Sequence, residues 1–191
     1  MESNVDLKEN ILDLQKRVAQ LECNKAKQDA KVSILHNALF IASDAYNGHH
    51  YYLTQHQPTS YTNAEKVCNA MGGYLAEVDT VTEFRFIQAF LRRKIKSSQV
   101  ILLGGTDANS EGTFINPNSS TQGYSEWYRN QPDNGGYKEH CRSIMESLGH
   151  DIGKYLMNDI PCDIVNDNFY KHGYLCEVPS TVDVRQETCE F

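Results

Sequence analysis

Apolar residues recur every seven positions through the first forty residues of the chain. These residues form two rows of heptad positions. One row is mostly Leu, and the other consists mainly of β-branched residues. The rows are Leu7, Leu14, Leu21, Gln28 and Leu35, and Ile11, Val18, Lys25, Val32 and Leu39. A narrow two-in-seven stripe predicts a helix that pairs with other helices in a coiled coil, and this choice of residues favours a parallel dimer over a trimer. The alternative is a single amphipathic helix that lies on its own domain.

Two features of this helix bear on assembly. Lys25 interrupts the seam, which costs stability but fixes the register of the paired helices. Cys23 falls on the face away from the seam, so we do not expect it to bridge the two strands of one coil. It is free to meet Cys189 or to link neighbouring oligomers, and the sequence leaves both pairings open.

The pattern changes at Asp44 to short apolar runs separated by glycines and tyrosines. Two amphipathic helices and three strands follow from it, with a long irregular region from Thr106 to about Asn158. The helices are predicted over 61–72 and 81–94, and the strands over 73–78, 99–105 and 172–178. We therefore predict an α+β chain with three parts. These are a coiled-coil oligomerisation helix (1–43), a globular domain (44–180) and a C-terminal tail (181–191).

Charge, cysteine content and hydropathy exclude several classes of function. Acidic and basic residues balance in 1–43, so the net charge of -7 belongs to the rest of the chain and argues against nucleic-acid binding. The six cysteines include no C-x-x-C pair, which favours disulfides in an oxidising, extracellular compartment. No apolar run is long enough to cross a membrane. The first residues lack the features of a signal peptide, so we expect a secreted protein whose leader is missing from this sequence.

The candidate chemistry lies in the stretch "WYRNQPDNGGYKEHC", which is 127–141. Gln131, Asp133 and Glu139 offer side-chain oxygens there, but no nucleophile stands beside them. The chain shows no Ser–His–acid pattern or nucleophile elbow, so we do not expect an enzyme. The neighbouring His49 and His50 are expected in a solvated turn rather than at a metal.

Several segments in order identify the chain as similar to the C-type lectin domain. They are "AEKVCNAMGGYLAEV", "LLGGTDANSEGTF", "WYRNQPDNGG", "EHC", "NDIPC" and "GYLCEV", and together they cover residues 50–178. The resemblance implies two helices, small antiparallel sheets and a long calcium-binding loop region. It also implies the disulfides Cys68–Cys176 and Cys141–Cys162.

The resemblance further implies one Ca²⁺ held by five side chains. They are Gln131, Asp133, Glu139, Asn158 and Asp159. Ca²⁺ takes six to eight oxygen ligands, so hydroxyls of a bound sugar would complete the shell. All of these residues except Asp159 are also expected to contact the sugar, and in this family the QPD triplet goes with galactose and N-acetylgalactosamine. No Trp follows the triplet, so we expect Tyr137 to stack on the sugar ring.

Three departures from the family pattern qualify the resemblance. Met157 stands where the family has a packing Trp. His140 takes the place of an acid that would join Asp107 and Glu111 in an auxiliary calcium site, so we expect that calcium site to be weak or absent. The stretch "MESLGHDIGKYL" (145–156) is longer than the family norm, and we expect it to rim the sugar site or contact a partner.

Together these features predict a secreted, calcium-dependent galactose or N-acetylgalactosamine lectin. Its stalk would make it multivalent for glycans on microbes or cells, as in innate immunity. The alternative is a module of the same fold that binds a protein, mineral or ice surface and keeps calcium only for structure.

Overall fold

A long helix precedes a mixed sheet flanked by two shorter helices. The structure is a computed structural model of the 191-residue chain and describes residues 2–54, 59–95, 99–147, 153–163 and 171–180. Contacts divide the chain into two units; one contains the long helix, and the other is Phe40–Ser180. Cys189 and the predicted C-terminal tail lie outside the described residues, as does part of the stretch 145–156. Among the described residues, no helix combines the length and apolarity needed to span a bilayer.

Helix α1 spans Glu2–Leu39 and leaves its apolar seam in solvent. Leu21 is 68% exposed and Leu35 is 62% exposed. The other described apolar side chains of the seam are also exposed, namely Leu7, Ile11, Leu14, Val18, Val32 and Leu39. The coiled coil and the single amphipathic helix both remain predictions for this segment. Cys23 is buried, and it has no disulfide partner among the described residues.

Seven strands form the sheet. They are β1 (Phe40–Ala42), β2 (His49–Thr54), β3 (Tyr74–Leu75), β4 (Gln99–Thr106), β5 (Glu139–Glu146), β6 (Tyr155–Pro161) and β7 (Lys171–Pro179). The order is β1-β2-β7-β4-β5-β6, and β3 pairs with β7 off this path. The β4–β7 pair is parallel and the remaining pairs are antiparallel, so the sheet is mixed. The α+β class is confirmed.

The two shorter helices begin at sequence-encoded caps. Helix α2 spans Tyr61–Ala70, and the hydroxyl of Ser60 accepts from the Asn63 N–H at 3.3 Å. Helix α3 spans Val81–Lys94, and Thr80 caps it in the same way. The basic last turn of α3 complements the helix dipole.

Strand β4 divides the core between the two faces of the sheet. Ile101 and Leu103 belong to one buried cluster, which includes Phe84, Ile87 and other residues of α3. On the other face, Val100 and Leu102 pack in a second cluster with Ala64 and Cys68 of α2. This alternation follows from the period of two along a strand, and it explains why β4 reads as a continuous apolar run.

Two disulfides join distant parts of the Phe40–Ser180 unit. One links Cys68 of α2 to Cys176 of β7, and the other links Cys141 of β5 to Cys162 just after β6. The first closes a separation of 108 residues, a loop length for which the chain-entropy account gives about 4–5 kcal/mol of stabilisation.

Two local predictions were wrong. The region from Thr106 to Asn158 is not irregular throughout, because it contains β5 and the start of β6. Polar and apolar residues do not alternate regularly in this region, so the sequence lacks the period-two pattern that would have predicted a strand. His49 and His50 do not form a solvated turn; they begin β2 and pair with Pro179 and Val178 of β7.

Glu177 of β7 carries a buried carboxyl group. It is 5% exposed and accepts a hydrogen bond from the Tyr74 hydroxyl at 3.0 Å and one from the Glu77 N–H at 3.3 Å. The imidazole Nδ1 of His49 is 3.8 Å away. Burial, followed by the nearby Glu83 carboxylate, raises the pKa of Glu177 from 4.5 to about 8.

This burial predicts how the stability of the fold depends on pH. The folded state keeps the Glu177 proton up to about pH 8, whereas the unfolded chain releases it near pH 4.5. The free energy of unfolding therefore falls as pH rises between these values. Glu177→Gln stays neutral, so we expect it to match the wild type near pH 4.5 and to exceed it at pH 8 by about 1–3 kcal/mol, which is several degrees in Tm.

Thermal unfolding followed by circular dichroism from pH 4.5 to 9, in EDTA, measures this difference. Glu9→Gln, at an exposed position of α1, serves as the control and should track the wild type throughout. A Glu177→Gln curve that runs parallel to the wild type at every pH would contradict the prediction.

Candidate functional site

Pairing of β5 with β6 places three of the predicted ligand residues together. Glu139 starts β5 opposite Pro161, while Asn158 and Asp159 lie on β6 opposite Ser143 and Arg142. The Ser143 hydroxyl donates to the Asn158 carbonyl at 2.9 Å. The ladder therefore fixes these side chains from two rigid strands.

A second connection brings the loop that carries Gln131 and Asp133 to the same place. The Tyr128 N–H donates to the Met157 carbonyl at 2.8 Å, and the Met157 N–H donates to the Glu126 carbonyl at 2.9 Å. Trp127 thus lies beside β6, and Met157 is fully buried in the core next to it. The Gln131–Pro132 peptide bond that follows is cis.

Asp159 anchors this loop through its backbone. It is 1% exposed, and its two carboxylate oxygens accept hydrogen bonds from the N–H groups of Asp133 at 3.2 Å and Asn134 at 2.7 Å. Hydrogen bonds to an ionised carboxylate are stronger than neutral ones. The predicted ligand therefore also acts as the loop's main attachment.

Asn134 is a site residue that the sequence prediction missed. Its φ of 45° is in the left-handed region, and its Oδ1 accepts from the Glu139 N–H at 3.1 Å. The next residue, Gly135, donates its N–H to Glu139 Oε2 at 2.9 Å. The signal was present as "DNGG", because Asn tolerates left-handed backbone better than most residues.

Three carboxylates meet at the centre of the site. Ligand oxygens of Asp133, Glu139 and Asp159 all lie within 4.8 Å of one another. Burial raises the pKa of Glu139, and the Asp159 and Asp133 charges raise it further, while the Gly135 N–H opposes them. A divalent cation relieves this repulsion, so the charge distribution fits one.

The two amide side chains of the predicted ligand set, Gln131 and Asn158, differ in their hydrogen bonding. The Oε1 atom of Gln131 is buried and has no hydrogen-bond partner within the described part of the chain. An oxygen withdrawn from water without a partner is costly, and a metal ligand position accounts for it. The half-buried Asn158 donates from Nδ2 to the Asp159 carbonyl at 2.6 Å.

Tyr137 lies at the rim rather than inside the cluster. It ends a short 3-10 turn, Gly135–Tyr137, and its φ of 58° is unusual for a non-glycine residue. The side chain is 89% exposed. A large aromatic ring presented to solvent next to a polar site is available to a ligand.

Buried Arg142 pairs with Asp159 in the β5–β6 ladder and holds the preceding loop through its side chain, a role that the sequence prediction missed. Its guanidinium donates to Asn116 Oδ1 at 2.9 Å and to the Gln122 carbonyl at 3.2 Å, and it lies over the rings of Phe114 and Trp127. Burial lowers its pKa to about 10. A single Arg in a strand carries no sequence signal for this role, since the partners come from the distant loop 114–127.

Comparisons with known proteins agree with this geometry. The family model described as the Lectin C-type domain matches residues 57–177. Perlucin of Haliotis laevigata is 32% identical over 104 residues, which are 54% of this chain and 64% of perlucin. The hemolymph lipopolysaccharide-binding protein of Periplaneta americana is 28% identical over 137 residues, 67% of this chain and 48% of that protein. The chain thus spans less than two thirds of either relative.

The structural comparison concerns the fold alone. Human lithostathine superposes with a TM-score of 0.58 at 20% identity, covering 71% of this chain and 95% of the other. The match confirms the predicted C-type lectin-like fold, with its long N-terminal helix as an addition. Since the family model spans more than half of the chain and the fold agrees with it, the chain belongs to the C-type lectin family.

Proposed function

We propose that this protein is a calcium-dependent lectin for galactose or N-acetylgalactosamine, made multivalent by its N-terminal helix. Membership of the C-type lectin family supports carbohydrate binding in general. The observation that carries the calcium proposal is the meeting of three carboxylates beside a buried Gln131 Oε1 that lacks a hydrogen-bond partner among the described residues.

Five side chains would hold the ion. They are Gln131, Asp133, Glu139, Asn158 and Asp159. Bound calcium would supply a docking point for two neighbouring sugar hydroxyls. The mixture of carboxylate and amide oxygens suits this hard cation, whereas the absence of sulfur and imidazole from the set disfavours zinc and copper.

The sugar preference follows from which residues donate and which accept. An Asp133 carboxylate only accepts hydrogen bonds, while the Gln131 amide also donates. A sugar hydroxyl between them donates to the carboxylate and accepts from the amide, so the order of the two residues decides which diol fits. In this family the order Gln–Pro–Asp accompanies galactose-type sugars, whose 4-hydroxyl is axial.

Tyr137 is proposed as the stacking residue. The apolar face of galactose packs well on an aromatic ring, and a Tyr ring that is 89% exposed beside the cluster is free to receive it. The left-handed turn at Asn134 and the glycines after it set where this ring stands.

The exposed seam of α1 supports oligomerisation. The exposed Leu, Ile and Val residues on either side of Lys25 and Gln28 would be covered if two such helices pair, as the heptad spacing predicts. A shallow sugar site binds weakly by itself, and joining several sites raises avidity by about 10²–10⁴-fold when the glycans are repeated on one surface. Microbial and cell surfaces carry such repeats.

Two disulfides and the family of secreted lectins support an extracellular location. The name of the Periplaneta americana relative places that protein in hemolymph and gives it lipopolysaccharide as a ligand. We propose the same broad role, recognition of glycans outside the cell. Binding, rather than catalysis, is the activity that the site's acceptor-rich chemistry supports.

Calcium dependence is the first test. We expect the full chain to be retained on galactose–agarose in millimolar Ca²⁺ and to be released by EDTA. Asp133→Asn removes one carboxylate from the cluster, so we expect apparent Ca²⁺ affinity, measured by calorimetry, to fall on the order of tenfold or more.

Asp44→Asn is the matched control, because this carboxylate is exposed and far along the chain from the cluster. It should leave retention unchanged. Failure of the wild type to bind galactose, N-acetylgalactosamine or a panel of other glycans in Ca²⁺ would contradict the lectin proposal. Retention instead by a mineral surface would support the alternative of an interaction module.

Specificity can be tested by exchanging donor and acceptor across the proline. The double variant Gln131→Glu with Asp133→Asn keeps the same number of oxygen ligands and the same net charge. It reverses the hydrogen-bond order, so we expect preference in inhibition assays to move from galactose towards mannose. Competition by mannose but not galactose in the wild type would refute the assignment of the sugar.

The heptad seam of α1 predicts the oligomeric state of the protein. We expect the wild type to be a dimer in analytical ultracentrifugation and the double variant Leu14→Asp with Leu21→Asp to be a monomer, because charges cannot be buried in the seam. Leu12→Asp is the matched control, since Leu12 is 53% exposed but lies outside the seam. A monomeric wild type would disprove the proposed assembly.

A further inference from the structure

One asparagine of the chain lies in an acceptor sequence for N-linked glycosylation. The acceptor triplet is Asn118, Ser119 and Ser120, which reads N-x-S without a proline in the middle position. The sequence contains no second triplet of this kind. The two disulfides fit the oxidising compartment in which such acceptors are modified.

The fold presents this triplet in a tight hairpin loop, 116–121. The Asn116 N–H donates to the Thr121 carbonyl at 2.6 Å, and the Ser120 N–H donates to the Asn116 carbonyl at 2.8 Å. Asn118 and Ser120 are both exposed. The two residues whose side chains an acceptor requires therefore lie on the surface of the domain.

A buried carboxylate fixes the loop without using the acceptor side chain. Glu77 is 2% exposed, and its two oxygens accept hydrogen bonds from the N–H groups of Asn118 at 2.5 Å and Ser119 at 2.9 Å. Both bonds engage the backbone, so they leave the amide nitrogen of the Asn118 side chain available for substitution. Glu77 lies two residues after β3, so the loop is held beside that strand.

A surface groove of about 170 Å³ adjoins Asn118. Its lining includes Pro117 and Asn118 from the loop, Tyr61 from α2, and Tyr74 and Leu75 from β3. Both tyrosines are half-buried. Aromatic rings beside a few polar groups form the kind of surface on which the apolar face of a sugar packs.

The acceptor and the groove together indicate one occupant. A sugar joined to Asn118 would be tethered at the edge of the groove, so its effective concentration there would be high and even a weak contact would be populated. We propose that Asn118 carries an N-linked glycan, and that the first N-acetylglucosamine of this glycan lies in the groove lined by Tyr61 and Tyr74. The proposal rests on the extracellular location proposed above, but not on the calcium cluster or its sugar.

The modification is a transfer from a lipid-linked donor. The amide nitrogen of Asn118 forms a bond to C1 of the sugar, while the bond from C1 to the pyrophosphate oxygen of the donor breaks. The amide loses one proton to a base, and the lipid pyrophosphate leaves with the bonding electrons. The secretory compartment of a eukaryotic cell supplies both the lipid-pyrophosphate oligosaccharide and the transferase that uses it.

The test is the mass of the full chain when mammalian cells secrete it behind a cleavable leader. We expect the wild type to exceed the mass of the bare chain by one glycan, and we expect peptide-N-glycosidase F to remove this excess and leave an aspartate at position 118. Ser120→Ala removes the hydroxyl that the acceptor requires, so it should abolish the glycan, as should Asn118→Gln. Ser119→Ala is the matched control, because it removes a hydroxyl from the same loop and keeps the acceptor.

Two results would overturn the glycan proposal. One is an unmodified wild type in the culture medium, and the other is a glycan that both Ser120→Ala and Asn118→Gln retain. Retention on galactose–agarose is measured on the same samples. Loss of that retention while the glycan is present would bear on the lectin proposal alone.

The position of the first sugar is tested on protein trimmed by an endoglycosidase to a single N-acetylglucosamine. We expect nuclear Overhauser contacts between this sugar and the ring protons of Tyr61 or Tyr74. We also expect ring currents to shift the sugar resonances away from those of free N-acetylglucosaminyl-asparagine. A sugar that shows neither the contacts nor the shifts would overturn the assignment of the groove.

Discussion

The antiparallel pairing of β5 with β6 is the constraint on which the functional region depends. It places Glu139 on one strand near Asn158 and Asp159 on the other, and the Cys141–Cys162 disulfide fastens the same pair of segments. The Asp159 carboxylate then holds the neighbouring loop by accepting hydrogen bonds from the N–H groups of Asp133 and Asn134. Because three of the five proposed ligands stand on strands and the loop with the other two is held by Asp159, little conformational entropy would be lost if an ion bound.

Carboxyl groups come together at two places in the Phe40–Ser180 unit. Backbone N–H donors partly offset the negative charge of Asp133, Glu139 and Asp159. Burial, and then the two neighbouring carboxylates, raise the pKa of Glu139. On the other side of the domain, burial and Glu83 raise the pKa of Glu177 to about 8. The same acidic excess therefore leaves a carboxylate cluster in the loops whose charge suits a cation, and it predicts a stability that depends on pH near β7.

The helix proposed for assembly and the cluster proposed for recognition lie in different parts of the chain. The α1 helix exposes its seam and carries no ligand residues, while the Phe40–Ser180 unit has its own two-sided core and both disulfides. If α1 pairs as we propose, it would multiply copies of the proposed sugar site in one assembly. The match to the family model falls within the second unit, over residues 57–177.

The sequence by itself determined the two shorter helices and named the candidate calcium ligands, because both are recorded locally. The heptads, the caps at Ser60 and Thr80, and the residues of "QPD" and "ND" can be read within a few positions. Only the tertiary structure decided the extent of β5 and β6, the roles of Arg142 and Asn134, and the groove beside Asn118. Those depend largely on contacts between separate segments of the chain, and such a contact leaves no periodic pattern in either segment.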